Sequence, residues 1–305
     1  MASLRDIRTR INSVRNTQQV TRAMKMVAAA KLRRAQERIF QTRPYAFKIG
    51  EIIAHLKRHV DPASHPLFSL DDVSPGVCLI IVTADRGLAG GFNSNLIKVA
   101  EKTINERFAT ERDNGDLYLI CVGRKGHEHF GRRGHQLVGD YRGTFDRLTF
   151  SSADSVSDVA VEGYQSGKWD QVFLIYNEFK NTISQNRVVE PFLPIPSEHF
   201  LTPVMAEQEG DAAQADLEAA VDYIFEPSAE KILDELVPRY LGYQVWRALL
   251  ESNAAEQGAR MVAMDNATNN ADELLKDLKL KYNRARQDAI TKELIEITSG
   301  ADALG

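Results

Sequence analysis

Apolar residues recur at Leu4, Ile7, Ile11 and Val14, in steps of 3, 4 and 3 that put them on one face of a helix. The same heptad step reaches Gln18, Thr21, Lys25 and Ala28, which are polar or small. Val20, Ala23, Met24, Val27, Ala28, Ala29 and Ala30 offer a broad, shallow face instead, so the seam is expected to become thin there. At the other end Leu275, Leu278, Tyr282, Ala285 and Ala289 repeat the spacing. Ile290, Leu294 and Ile297 then form a shifted stripe, so the last turns are expected to run as a single helix beyond a partner.

Helix breakers are scarce in both arms. Residues 1–58 hold only Gly50 and Pro44, and residues 212–298 hold only Gly242, Gly258, Pro227 and Pro238. At 1.5 Å per residue the arms would span roughly 80 Å and roughly 130 Å. Two readings fit the first arm: a helix lying on a globular core, or one half of a paired rod. Arms at both termini favour the pair. Pro238 is expected to kink or divide the second arm, and the Asn/Asp-rich stretch at 265–272 to bend or fray it.

The middle alternates. GVCLIIVTAD, DLYLICVG and WDQVFLIYNEF read as buried strands, and FNSNLIKVAEKTINERF and SSADSVSDVAVEGYQSG as helices, the latter opened by a Ser or Asp cap. RKGHEHFGRRG reads as a short helix or loop, and HQLVGDYRG as a possible further short strand. NTISQNRVVEPFLPI reads as an extended segment, antiparallel to its neighbour through a turn near Lys180–Asn181. The expectation is an α/β fold with a three-layer central domain over 59–211, between helical arms at 1–58 and 212–305.

Charge is divided along the chain. Residues 1–43 carry eleven Lys or Arg against Asp6 and Glu37, whereas residues 206–235 carry ten acids against Lys231. The basic arm fits an acidic protein surface, a solvated helical face or nucleic acid; the overall charge of -4 weakens the last. The start has charge but no apolar core of a signal peptide, and no run of 18 apolar residues occurs. Cys78 and Cys121 each lie in an apolar run without metal or redox spacing, as expected of buried free thiols.

Candidate chemistry does not assemble. TADRGLAGGFN stands where a dinucleotide fold puts its ligand loop, but it lacks GxGxxG and GxxxxGK[ST]. A tight strand-to-helix connection explains Gly87, Gly90 and Gly91 without a ligand. His127, Glu128 and His129 have the composition of metal ligands, but histidines two apart on a helix face different ways, and a solvated loop is the expectation.

Three blocks carry a resemblance: IRTRINSVRNTQQVTRAMKMVAAAKLRRAQ at 7–36, TADRGLAGGFNSNL at 83–96, and the run from Glu256 to Leu304. The last contains Ile290, Thr291, Glu293, Ile297, Gly300 and Ala301, which match the family signature. With the order arm, domain, arm, the chain closely resembles the gamma subunits of F-type ATP synthases over essentially its whole length. Ala84 and Ala89 stand where the family often has Ser and Cys, and both keep a small side chain.

The resemblance implies a left-handed antiparallel coiled coil plus a central three-layer, Rossmann-like α/β domain. It implies a non-catalytic rotor shaft, one per complex, coupling ion translocation through the membrane c-ring to ATP synthesis or hydrolysis at the beta subunits. The implied partners are the alpha3-beta3 hexamer, the epsilon subunit and the c-ring; no cofactor, metal or nucleic acid is implied. Met24, Arg286 and Gln287 match positions that contact a beta subunit, and Tyr223 and Glu226 match the rotor foot beside the c-ring and epsilon. The chain has no plastid-type redox insertion, so thiol control is not expected. The implied location is the cytoplasmic side of a bacterial inner membrane, held peripherally through the complex.

Overall fold

The computed structural model describes residues 4–57, 66–68, 76–196, 202 and 228–302. The chain divides into two compact units, residues 1–28 with 261–305, and residues 29–260. Helices α1 (Leu4–Lys57) and α6 (Ala229–Asp302) each contribute to both units.

The unit of residues 29–260 is built on a five-stranded sheet in the order β3-β2-β1-β4-β5. Its strands are β1 (Val77–Val82), β2 (Leu117–Val122), β3 (Gln136–Leu137), β4 (Gln171–Phe179) and β5 (Gln185–Leu193). The first four run parallel and β5 returns antiparallel to β4, as the turn near Lys180–Asn181 predicts. Every residue of β1 is buried because both faces of the sheet are covered. Val77, Leu79 and Ile81 pack with Leu96, Ile97, Ala100 and Ile104 of α2 (Phe92–Arg107) and Phe130 of α4 (Arg124–Gly131). Cys78, Ile80 and Val82 face a second core with α5 (Phe150–Gln165), Trp169 and α6 residues Leu233 to Leu249. Each fully buried aliphatic side chain contributes roughly 1.5–3 kcal/mol. A short helix α3 (Ala109–Asn114) leads into β2.

Four expectations need correction. Pro238 does not divide the second arm, for α6 is helical throughout its 74 residues. Val237 and Leu241, buried on either side, anchor it against a proline cost of about 3 kcal/mol. Residues 265–272 stay helical, with Asp265, Thr268 and Asp272 taking partners on α1. The N-cap of α5 is Thr149, in extended conformation, with no side-chain cap bond to the backbone. His127, Glu128 and His129 lie half-buried on α4 rather than in a solvated loop, since Phe130 and Gly126 bury that helix against the sheet.

Candidate functional site: the paired terminal helices

In the unit of residues 1–28 and 261–305, α1 and α6 pair antiparallel. As α1 advances by three and then four residues, α6 retreats by four and then three: Gln18 bonds Asp272, the Thr21 hydroxyl lies 2.8 Å from that of Thr268, and Lys25 Nζ donates to Asp265 at 2.6 Å. Ile11 packs on Leu275 and Leu278, with Ile7, Val14 and Tyr282 around them. The strict heptad face therefore continues, Thr21 and Ala28 being buried, while Val20 and Val27 are 57% and 56% exposed. The broad apolar face read from Val20 and Val27 is thus corrected. Polar pairs fill the heptad positions and keep them inward. The half-exposed Lys25–Asp265 pair contributes at most about 1 kcal/mol.

The C-terminal spacing holds: Leu275 and Leu278 are buried, and Tyr282, Ala285 and Ala289 are half-buried. Beyond them residues 291–299 are all exposed. Ile290, Leu294, Ile295 and Ile297 are 48%, 58%, 59% and 67% exposed, so the end of α6 presents apolar side chains to solvent. Arg286, Gln287, Thr291 and Glu293 are exposed on the same stretch, and Met24 is half-buried on α1. Met24 lies near the level of Asp265, about 30 Å of helix from Arg286, so these positions do not converge. Gly300 and Ala301 continue the helix. Tyr223 and Glu226 lie outside the described residues.

In the other unit, the loop after β1 is occupied by its own groups. The Asp85 carboxylate accepts from the backbone N–H of Arg124 at 2.8 Å, Gly143 at 2.7 Å and Phe145 at 3.0 Å. An anion seeking backbone donors beyond the end of β1 would meet these three already taken. Asn93 Oδ1 accepts from Ala84 N at 2.8 Å, and the Thr83 hydroxyl accepts from Gly126 N at 2.8 Å. Gly123, at φ 93°, lets the two turns approach; a Cβ there would lie 2.1 Å from the Thr83 carbonyl oxygen. Leu88 holds a left-handed φ of 61° and is 67% exposed. Arg260 on α6 donates to the Gly87 carbonyl at 3.2 Å and pairs with Glu256, whose pKa burial raises against the opposing pull of Arg260.

The remaining candidates have structural partners. His129 Nε2 lies 2.9 Å from Glu101, and Arg133 donates to its Nδ1 at 3.2 Å. Among the described residues no group of three or more His, Cys, Asp or Glu is placed to hold a metal ion. Cys78 and Cys121 are buried free thiols, and burial pushes the Cys121 pKa up to about 12. No helix among the described residues is long and apolar enough to cross a membrane. Sequence reasoning missed the polar seam and a buried Arg247–Glu190 pair at 2.7 Å. The heptad step does reach Gln18, Thr21 and Lys25, but their polarity points away from a seam until their partners on α6 are known; Arg247 and Glu190 carry no local signal.

Long terminal helices that pair antiparallel, together with a mixed α/β region whose loop after β1 is filled from within, define an α/β protein with helical arms. The family model described as ATP synthase matches residues 3–304. The ATP synthase gamma chain of Salinibacter ruber is 62% identical over 304 residues, covering 100% of this chain and 99% of that one. That of Chlorobaculum tepidum is 51% identical with the same coverage. A chain of the Tetrahymena thermophila mitochondrial ATP synthase central stalk/c-ring structure is 28% identical, with a TM-score of 0.55 over 81% of this chain and 99% of that one. The Euglena gracilis mitochondrial ATP synthase includes a chain of like fold, with a TM-score of 0.65 over 99% of this chain and 94% of that one, at 19% identity. The chain belongs to the ATP synthase gamma family. It is the central rotor shaft, coupling rotation to catalysis without itself catalysing a reaction.

Proposed function

We propose that the free end of α6 turns inside a collar of three alpha and three beta subunits, and that one copy serves each complex. The carrying observation is the exposed stripe of Ile290, Leu294, Ile295 and Ile297 beyond the reach of α1. Arg286 and Gln287, with Met24 further along the pair, are the positions offered to a beta subunit. Tyr223 and Glu226 are assigned, by the family match alone, to a foot beside epsilon and the c-ring.

In this reading the helix pair is a left-handed coiled coil, supported by its heptad spacing. The central region is Rossmann-like, supported by parallel β1, β2 and β4 and by a strand order in which the chain moves from β1 out to β2 and β3 and then crosses back to β4 on the other side of β1. The divisions near residues 58 and 211 separate arms from domain. Membrane attachment is peripheral, on the cytoplasmic face of a bacterial inner membrane, and comes through the complex.

The test is assembly. The purified chain is mixed with alpha and beta subunits and ATP hydrolysis is assayed, then the complex is imaged. The expected result is a hydrolytic complex with the helix end central and in three angular positions. Failure to assemble, hydrolysis by this chain alone, or one fixed angle would overturn the reading.

A further inference from the structure

Helix α6 meets the sheet through two kinds of contact. Leu233, Val237, Leu241, Val245, Ala248 and Leu249 join the apolar core. Such burial is non-directional, so a helix that rolls or slides slightly keeps much of it. Arg247 makes contacts of another kind. Its Nη2 donates to both oxygens of Glu190 on β5, each at 2.7 Å, and its Nη1 donates to the Tyr176 hydroxyl on β4 at 2.7 Å. That hydroxyl donates to Glu190 Oε2 at 3.1 Å. Gln244, one turn back, accepts from Arg247 Nε at 3.1 Å and Nη2 at 2.8 Å, fixing the direction of the guanidinium.

The Arg247 and Glu190 side chains are only 6% and 7% exposed, so water is poorly placed to replace a broken bond. One turn on, Glu251 Oε2 accepts from the Phe179 backbone N–H at 3.1 Å, and further along Arg260 reaches the Gly87 carbonyl at 3.2 Å. These directional contacts span about 20 Å of one helix. Stability alone does not explain a buried pair, because apolar residues of similar volume often serve as well or better. Direction is what an apolar replacement lacks.

We propose that Arg247, Glu190 and Tyr176 form the rotational key of the shaft: positioning residues that stop α6 rolling against the sheet under torque. The inference rests on the rotor role. Rotation imposed on the α/β region is then delivered to the long helix instead of being lost as slip.

The experiment uses the assembled complex in membrane vesicles, measuring ion-driven ATP synthesis and ATP hydrolysis. Arg247→Lys keeps the charge and loses the planar fork. The double replacement Arg247→Met with Glu190→Leu keeps burial and loses direction. In both, synthesis per unit of hydrolysis falls several-fold, while the double variant, which leaves the buried Tyr176 hydroxyl without its two partners, also melts at a somewhat lower temperature than wild type. An unchanged ratio in either variant overturns the lock, and if the double variant does not assemble the Arg247→Lys ratio decides. A wild-type chain that supports no hydrolysis overturns the rotor reading and the lock with it; a normal wild type with unaltered variants overturns the lock alone.

Discussion

Thr21 and Thr268 meet with their hydroxyl oxygens 2.8 Å apart, buried between two helices whose residues stand 247 apart in sequence. Gln18–Asp272 and Lys25–Asp265 flank them, so a polar ladder follows the apolar contact of Ile11 with Leu275 and Leu278. Apolar contact drives the pairing and is tolerant of register; a ladder of specific polar pairs is not. A slide of one helical turn would set Lys25 away from Asp265 and leave a buried threonine without its partner.

Ile11→Asp places a carboxylate against Leu275 and Leu278, where Ile11 is 9% exposed. The expected loss is about 3 kcal/mol, combining lost apolar burial with the cost of the charge. Thermal unfolding checks it: an unchanged midpoint would show that Ile11 does not hold the pair. Ile11→Val should cost only about 1 kcal/mol.

Asp85→Ala removes the acceptor for the N–H groups of Arg124, Gly143 and Phe145. A loss of about 3 kcal/mol is expected, since bonds to a charged acceptor are strong and the orphaned donors lie in a part-buried site. Asp85→Asn, which retains one acceptor oxygen, should fall between. Denaturant midpoints of the three proteins give the order, and equality of Asn and Ala would contradict it.

His135 provides a pH dependence with a definite sign. Burial, with Arg112 next, lowers its pKa below the ordinary 6.5. The unfolded chain then binds the proton more readily than the folded one. The stability it contributes is present above pH 6.5 and is lost as pH falls through the folded value. Melting measured between about pH 8 and pH 5 should decline more steeply for wild type than for His135→Gln. Equal slopes would remove His135 from the account.

Arg286→Ala with Gln287→Ala changes two exposed helical positions to a strong helix former. Stability should move by less than about 0.5 kcal/mol. If these side chains meet a beta subunit, ion-driven synthesis falls several-fold at normal assembly. Synthesis equal to wild type would make them a solvated pair.

Local spacing was enough to reveal both terminal helices, because a 3–4 repeat of apolar residues states a face without reference to the rest of the chain. The same holds for β1, β2 and β4, whose unbroken apolar runs announce burial on both sides, and for the match of residues 7–36, 83–96 and 256–304 to the gamma family. Tertiary structure decided what lies inside where the repeat turns polar. Gln18, Thr21 and Lys25 look solvated until Asp272, Thr268 and Asp265 are set against them from 254, 247 and 240 residues away. It also decided that Pro238 stays within a continuous helix, held by Val237 and Leu241 in the core. The Arg247–Glu190 pair belongs to the same class. Hydrophobic periodicity is a property of neighbours along the chain, whereas the worth of a charged or hydroxyl side chain is set by the partner that replaces its water, and only the fold supplies that partner.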